Sequence, residues 1–268
     1  MCTSVINVSK NNINFSVISN PMTRGVWDNM HQNNWEEETF VIFDRFLKPG
    51  NSYIDIGAWI GPTVLYGAHK AKHVYAIEPD PVAFNEFITN LNLNPFIAPK
   101  VTCINAAIAK KSGNINLYMR DQLGISTSSL IPTISDNYCR VRAITIYDLI
   151  TENNIKNVNF IKMDIEGGEY SLIPVLHEFL KSQKPTLYLS LHPGFLNEHL
   201  NLKTNKNGNP SHEFNIQTEK LLDNLQFYKH IYDIFGNLVN KDAVLRDSYN
   251  AELAYSQKTA YIFTDEFW

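Results

Sequence analysis

The segment 53–61 constrains the fold of this chain more than any other feature of its sequence. A short apolar run leads into a turn that contains Gly57 and Gly61, and a helical pattern begins at Pro62. Glycines in such a turn permit close approaches that a side chain would prevent, and proline is favoured in the first turn of a helix. The segment therefore predicts a buried strand, a tight turn and a helix whose free N–H groups face a crevice.

Strand and helix patterns alternate along most of the remaining chain. The predicted strands after the first are HVYAIE, VTCIN, NINLYMR, RVRAITI, NVNFIKMDI, TLYLSLH, YKHIYDIF and TAYIFTDEF. The predicted helices are PTVLYGAHKA, PVAFNEFITNLNLN, TIYDLIT, YSLIPVLHEFLK and IQTEKLLDNL. Alternation of this kind implies a mainly parallel sheet with helices on both faces. The sequence therefore predicts an α/β fold of the Rossmann-like type.

Before this pattern, residues 1–48 are interpreted as an N-terminal cover on the main domain. They are mixed and Asn-rich, and they contain a predicted helix from Trp35 to Phe46. The spacing of Phe40, Phe43 and Phe46 places these three rings on one helix face, so the cover is expected to pack on the core.

Residues 49–268 are interpreted as one domain, because 268 residues are enough for one large core. A polar insertion is predicted around 193–226, where the strand and helix pattern weakens. Within it, the segment 202–213 has Gly and Pro punctuation and predicts a surface loop.

Composition excludes several classes of protein. The formal net charge is -4 and no basic run is present, so a nucleic-acid partner is not expected. Cys2, Cys103 and Cys139 have no metal-type spacing, which predicts reduced thiols, a cytoplasmic location and no metal site. No stretch approaches the roughly 20 apolar residues of a membrane span. The sequence makes no prediction of oligomeric state.

The turn and the second strand together predict the ligand. Trp59 and Pro62 stand where a dinucleotide fingerprint has glycines, which favours a nucleoside ligand without a pyrophosphate. Glu78 ends the second strand, where an acidic side chain can accept hydrogen bonds from both ribose hydroxyls. These features predict S-adenosylmethionine as the cofactor. The alternative is that Gly57 and Gly61 form a packing turn and Glu78 is a solvated strand end.

The sequence also resembles the FkbM family of methyltransferases over about 120 residues. The matching motifs, in order, are YIDIGAWIGPTVLYGA, VYAIEPDPVAF, NLNLN, NAAIAKKSGNINLY, STSSL, VRAITIYDL and FIKMDIEGGEYSLI. The resemblance implies a seven-stranded methyltransferase sheet with an antiparallel last strand, and methyl transfer to a hydroxyl oxygen. This sequence departs from the family pattern at Trp59, where Asn is frequent, at Tyr147, where Leu is usual, and at Ser190, where an acidic residue often precedes His-Pro.

The predicted cofactor site combines the turn, two further strand ends and the residues that follow them. Its members are Asp55, Gly57, Ala58, Trp59, Gly61, Glu78, Pro79, Asn105 and Asp164. The resemblance places Asn105 near the adenine, and a turn-forming role is the alternative.

His192 is the predicted general base, because it follows the fifth strand on the side where open α/β sheets bind ligands. A structural hydrogen bond at the strand end is the alternative role for this histidine. On this prediction the rate falls at acid pH as the imidazole becomes protonated.

Three carboxylates follow the fourth strand on the same side. Asp164 and Glu166 are predicted to act with the base, and Glu166, Glu169 and Ser128 are predicted to contact the substrate. One alternative is a hard-metal site such as Mg²⁺. Another is that Glu166 and Glu169 only stabilise the start of the next helix.

The function predicted from sequence is O-methyl transfer from S-adenosylmethionine to a hydroxyl of a sugar, a glycan or a sugar-containing small molecule. The choice of a sugar comes from the resemblance to the family. The alternatives are an RNA or protein methyltransferase and a non-catalytic nucleoside-binding protein.

Overall fold

The computed structural model describes residues 3–203 and 209–268. Within these residues the strands are β1 (Ser4–Lys10), β2 (Ile13–Ser19), β3 (Ser52–Ile56), β4 (His73–Ile77), β5 (Val101–Ile104), β6 (Ala107–Ile108), β7 (Gly113–Tyr118), β8 (Tyr138–Ile144), β9 (Val158–Met163), β10 (Thr186–Ser190), β11 (His230–Asp233), β12 (Leu238–Val239) and β13 (Ala260–Thr264). The α-helices are α1 (Arg24–His31), α2 (Glu37–Phe46), α3 (Pro62–Gly67), α4 (Pro81–Asn92), α5 (Ile146–Glu152), α6 (Glu169–Gln183), α7 (Pro193–Lys203), α8 (Pro210–Asp223) and α9 (Lys241–Ser248).

The central sheet has the strand order β12-β11-β13-β10-β9-β3-β4-β5. The five strands from β10 to β5 are parallel, whereas β13 runs antiparallel to both β10 and β11. The predicted Rossmann-like sheet with an antiparallel last strand is therefore confirmed. The eighth strand, β12, has only two residues at the sheet edge and was not predicted.

Helices cover both faces of this sheet, and the side chains of one strand alternate between the two resulting cores. On β3, Ile54 packs in one buried cluster and Tyr53 in the other, and β9 repeats this with Ile161 and Phe160. All five residues of β3 are buried. A strand buried on both faces reads as a continuous apolar run, so the charged Asp55 within it is an exception that needs a partner.

The N-terminal segment contains a hairpin that the sequence analysis did not predict. Asn11 and Asn12 both have positive φ, at 46° and 63°, which suits the two-residue turn between β1 and β2. Asn90 of α4 and Asn94, just after this helix, accept hydrogen bonds from the backbone N–H groups of Ile18 and Ser16 in the hairpin, at 2.7 and 2.8 Å. The NLNLN motif therefore attaches the N-terminal segment to the main domain.

The predicted helix of the N-terminal cover is present as α2. Its rings Phe40, Phe43 and Phe46 are fully buried, as the helical spacing predicts. Phe43 makes an edge contact with Phe160 of β9, with ring centroids 5.4 Å apart. The cover therefore forms part of the core on this face of the sheet.

The region around 193–226 differs in part from the prediction, although the helix predicted over 216–225 is largely present. It consists largely of α7 and α8, so the predicted surface loop over 202–213 is wrong at both ends, while its residues 204–208 lie outside the described residues. The error came from polar composition, because α8 buries only Phe214, Thr218, Leu221 and Leu222. Asn209 caps α8 by accepting a hydrogen bond from the backbone N–H of His212.

Two further features bear on the composition arguments. Cys103 and Cys139 are free thiols, and Cys2 lies outside the described residues. Among the described helices, none has the length and apolar character required to cross a membrane.

Candidate active site

The carboxyl ends of β3, β4, β9 and β10 meet at one edge of the sheet, and the turn after β3 lies at their centre. Gly57 has φ 94°, and a Cβ added there would come within 1.9 Å of the Asp164 carbonyl oxygen. Only glycine therefore fits between the β3 turn and the end of β9. This close contact brings Asp164 beside the turn that begins α3.

Glu78 follows β4 and faces this turn. Its Oε2 accepts a hydrogen bond from the backbone N–H of Trp59 at 2.8 Å, and its Oε1 accepts one from the backbone N–H of Asp80 at 2.7 Å. Burial raises the pKa of Glu78 to about 8, although both backbone hydrogen bonds lower it. Each carboxylate oxygen retains a lone pair for a further donor.

A buried ion network lies beneath the site. Lys162, opposite Asp55 in the β3–β9 register, has its Nζ 3.8 Å from Asp55 Oδ1 and 3.1 Å from Asp164 Oδ2. Asp55 Oδ2 also accepts hydrogen bonds from the hydroxyls of Thr63, at 2.7 Å, and of Tyr53. Burial lowers the pKa of Lys162, but the neighbouring carboxylates outweigh it and raise that pKa above its usual value.

His192 lies at the end of β10 among three carboxylates. Its Nδ1 is 2.8 Å from Glu169 Oε1, and its Nε2 is 3.3 Å from Asp164 Oδ1 and 3.4 Å from Glu166 Oε2. Glu169 is fully buried and also accepts a hydrogen bond from the backbone N–H of Ile165 at 2.9 Å. The fixed Glu169 carboxylate therefore directs an N–H at Nδ1 and leaves Nε2 as the nitrogen that faces the other two carboxylates.

These contacts change the acid–base properties of the cluster. Burial lowers the pKa of His192, but the Glu166 and Glu169 carboxylates outweigh it and raise that pKa well above its usual value. Burial also raises the pKa of Glu166 to about 7, although His192 lowers it. For Asp164, burial is outweighed by Lys162 and His192, which hold the pKa below its usual range. The carboxylates around His192 therefore favour its protonated form.

Two cavities meet at this edge of the sheet. The smaller one is lined by Glu78, Pro79 and Ser128, and the larger one, of about 430 Å³, is lined by His192 and Glu36. The walls of both include Gly57, Trp59, Ser126, Asp164 and Glu166. One ligand can therefore reach from the Glu78 side into the space beside His192.

The segment 119–137 forms part of the wall between these cavities. The indole Nε1 of Trp59 donates to the Gly124 carbonyl at 2.9 Å, and the Gly124 N–H donates to Asp80 Oδ2 at 2.7 Å. The Ser129 hydroxyl donates to the Glu166 carbonyl at 2.6 Å. These bonds attach the segment to the loops that follow β3, β4 and β9.

A family model described as the methyltransferase FkbM domain matches residues 55–229. The match covers more than half of the chain and extends from the end of β3 to beyond α8. The chain belongs to the FkbM methyltransferase family.

The chain is also similar to several solved structures. The FkbM methyltransferase from Methylobacillus flagellatus is 21% identical with a TM-score of 0.38, and the alignment covers 53% of this chain but only 33% of that one. A Methanococcus jannaschii fibrillarin pre-rRNA processing protein is 14% identical with a TM-score of 0.42, covering 97% and 80%. A Streptococcus mutans protein in complex with SAH is 10% identical with a TM-score of 0.39, covering 74% and 85%. No curated protein sequence matches the chain.

Most residues predicted to bind the cofactor line the two cavities. The residues that do so are Gly57, Ala58, Trp59, Glu78, Pro79 and Asp164. Asp55 is instead fully buried in the ion network, and Gly61 begins α3 against the Phe87 ring. Asn105 donates to the carbonyl oxygens of Glu78 and Pro79, at 2.7 and 3.3 Å, which favours the turn-forming role over adenine contact.

The residues predicted for catalysis, His192, Asp164 and Glu166, lie together at the larger cavity. Of the residues predicted to contact substrate, Glu166 lines both cavities and Ser128 lines the smaller one. Glu169 has no exposed surface and binds His192, so the geometry does not support its predicted contact with substrate. It supports a positioning role for Glu169 instead.

Sequence reasoning missed several polar residues of the larger cavity. Lys162 is detectable as a lysine among the apolar residues at the end of β9, because a buried charge of this kind requires partners. Glu36, Arg120 and Gln257 also line this cavity but come from distant segments. Glu36 has φ 48°, and burial raises its pKa to about 7. No local pattern identifies these three residues.

Asp164, Glu166 and His192 also place ligand atoms within 4.8 Å of one another, which is compatible with a metal ion. The Lys162 ammonium already lies 3.1 Å from Asp164 Oδ2, and His192 Nε2 lies 3.3 Å from Asp164 Oδ1 and 3.4 Å from Glu166 Oε2. A divalent cation would have to displace these two side chains. The geometry therefore favours an ion-pair network over a metal site at these residues.

We expect methyl transfer by the purified protein to persist in excess EDTA, because the Lys162 and His192 side chains already contact the carboxylates of this cluster. The measurement is the initial rate before and after chelation, with added Mg²⁺ as the control. Loss of the rate in EDTA with recovery in Mg²⁺ would contradict this expectation and assign Asp164 and Glu166 as metal ligands.

Proposed function

We propose that this FkbM methyltransferase transfers a methyl group from S-adenosylmethionine to a hydroxyl oxygen of a sugar, a glycan or a sugar-containing small molecule. The observation that carries the proposal is the pair of connected cavities, with Glu78 in the wall of one and His192 in the wall of the other. A donor bound along the first cavity has its reactive end at the second, where the acceptor and its base must meet.

The residues of the smaller cavity fit this cofactor. Glu78 offers buried carboxylate oxygens to the two ribose hydroxyls, and the apolar side chains of Ile77, Ile108 and Leu130 line the same cavity. In a dinucleotide-binding protein the pyrophosphate approaches this turn, and here the Trp59 side chain leaves less space for it. S-adenosylmethionine, when bound, supplies a methyl group already activated by the sulfonium.

His192 would accept the proton of the acceptor hydroxyl at Nε2. Glu169 holds the opposite nitrogen, so the imidazole is fixed in orientation and tautomer. Asp164 and Glu166 stabilise the imidazolium that forms, as carboxylates do in other base–histidine pairs. His192 must first lose its own Nε2 proton. The decrease in rate that the sequence predicts at acid pH should therefore occur at a higher pH.

The lining of the larger cavity supports a polyhydroxylated acceptor. The Trp35 ring, the Glu36 carboxylate and the Gln257 carboxamide lie there with Ser126 and Thr127. Among the described residues that line it, the cationic side chains besides His192 are Lys162 and Arg120, and both are ion-paired. Hydroxyl groups can donate to the carboxylate and exchange hydrogen bonds with the carboxamide, whereas a polyphosphate chain would require free cations.

The test is transfer of an isotope-labelled methyl group from S-adenosylmethionine to a panel of sugars, with RNA and peptide pools as competing acceptors. The proposal predicts a methyl ether on a sugar hydroxyl, located by mass spectrometry. Transfer to RNA or peptide alone would reject the sugar. Cofactor binding without transfer to any acceptor would identify a non-catalytic nucleoside-binding protein.

A further inference from the structure

A groove formed by α7, α8 and the segment 248–255 adjoins the larger cavity. Its volume is about 520 Å³, within the range of roughly 300–1,000 Å³ that ligand pockets occupy. Pro193 and Gly194, the two residues after His192, lie in its wall, and Tyr255 lines both the groove and the larger cavity. A ligand held beside His192 can therefore continue into the groove.

The Tyr255 ring stands at the junction of the two spaces and is fixed there. A Cβ added to Gly194 would lie 2.5 Å from this ring, so the glycine lets Tyr255 pack directly on the start of α7. The Tyr255 hydroxyl donates to Glu198, and Arg120 binds the same carboxylate at 3.1 Å. Tyr255 is nevertheless 63% exposed, which leaves part of its side chain accessible to a ligand.

The groove combines aromatic rings with neutral polar groups. Tyr249 is 45% exposed and packs against Phe214 with ring centroids 5.7 Å apart. Neutral polar side chains surround these rings: Asn197, Ser211, Asn215, Ser248 and Asn250. Among the described residues that line the groove, none is charged.

This chemistry selects one class of ligand. A carboxamide offers both donors and an acceptor to neighbouring hydroxyls, and an exposed ring offers an apolar face to the C–H groups of a sugar ring. A nucleic acid would need cations for its phosphates. A charged peptide would leave its ionic groups without partners.

We propose that the groove binds the sugar units next to the one that is methylated, so that the acceptor is an oligosaccharide or longer glycan. The reacting unit lies beside His192, Tyr255 separates it from the next unit, and Tyr249 and Asn215 contact the units beyond. This inference rests on the proposed function, because it concerns the acceptor of the same reaction.

The experiment compares kcat/KM for sugars of two lengths. The probes are methyl glycosides of common hexoses, deoxyhexoses and N-acetylhexosamines, each paired with trisaccharides that end in the same sugar. We expect the trisaccharide that carries the correct terminal sugar to exceed its monosaccharide by about tenfold or more, from stacking and hydrogen bonds in the groove.

Variants of the groove test the cause of this ratio. Tyr249→Ala, and separately the exposed Asn215→Ala, should lower the ratio of trisaccharide to monosaccharide kcat/KM roughly three- to tenfold. Tyr147→Ala is the matched control, because Tyr147 is a similarly exposed tyrosine at 56% on α5, outside the groove lining. The ratio also corrects for any partial loss of folded protein.

Each outcome separates this inference from the function on which it rests. Sugar methylation with equal kcat/KM for both lengths would overturn the groove assignment and leave the proposed function intact. A length preference that survives both groove variants would overturn it as well. Absence of methylation on every sugar of either length would reject the proposed function and this inference together.

Discussion

His192→Ala should lower kcat for methyl transfer by roughly 10²- to 10⁴-fold, the usual contribution of a general base. The acceptor alcohol has a pKa far above 7, so attack without a base develops an unfavourable oxonium. Because His192 does not line the smaller cavity, the dissociation constant of S-adenosylhomocysteine should change little. The measurements are steady-state kinetics and titration calorimetry on the same preparation.

The pH profile distinguishes a base from a structural histidine. The surrounding carboxylates raise the His192 pKa well above its usual value, so the neutral base becomes more abundant as pH rises and the wild-type rate should increase into the alkaline range. His177→Ala is the control, since His177 lies on α6 with its Nδ1 bonded to the Asn224 carbonyl. A His192→Ala enzyme with wild-type kcat across this range would leave positioning as the source of the rate.

Glu78→Ala should weaken binding of S-adenosylhomocysteine by at least tenfold. The variant removes two hydrogen bonds to a charged group, each worth roughly 1.5–3 kcal/mol, and a loss of about 1.4 kcal/mol already corresponds to tenfold. The backbone N–H groups of Trp59 and Asp80 also lose their acceptor. Titration calorimetry measures the change in dissociation constant.

The pH dependence of cofactor affinity provides a second test of Glu78. Its pKa of about 8 means that the protonated form predominates at neutral pH in the free protein, whereas ribose hydroxyls favour the carboxylate. Affinity should therefore decrease as pH falls below about 8, by up to roughly tenfold per pH unit. Glu78→Gln should lack this dependence. An unchanged dissociation constant in Glu78→Ala would show that this residue is only a strand end.

The fold follows from local patterns to a large extent. The apolar run before Gly57 and its repeats downstream predict the parallel strands, because strands buried on both faces have few alternatives to apolar side chains. The hairpin turn at Asn11 and Asn12 escaped prediction, since asparagine at positive φ is a weaker signal than glycine. The loop predicted over 202–213 is wrong at both ends because α7 and the start of α8 carry many polar residues, whereas the helix predicted over 216–225 is largely present in α8.

Some residues of the candidate site are likewise predictable from local sequence patterns, and others are not. Gly57, Glu78 and His192 are predictable because each follows a strand of the parallel sheet, and the fold brings these strand ends together. The role of Glu169 is not predictable, because its position four residues after Ile165 gives no indication that its carboxylate turns inward to His192. Tyr255 and Glu36 reach the larger cavity from opposite ends of the chain, and only the tertiary structure brings them there.

Titration of the purified protein with S-adenosylhomocysteine and, separately, with NAD tests the central claim most directly. The account predicts saturable binding of S-adenosylhomocysteine, because Glu78 holds the ribose and the turn at Gly57 admits the nucleoside. It predicts much weaker binding of NAD, because Trp59 obstructs the approach of a pyrophosphate. Tighter binding of NAD than of S-adenosylhomocysteine would contradict the assignment of this site to S-adenosylmethionine.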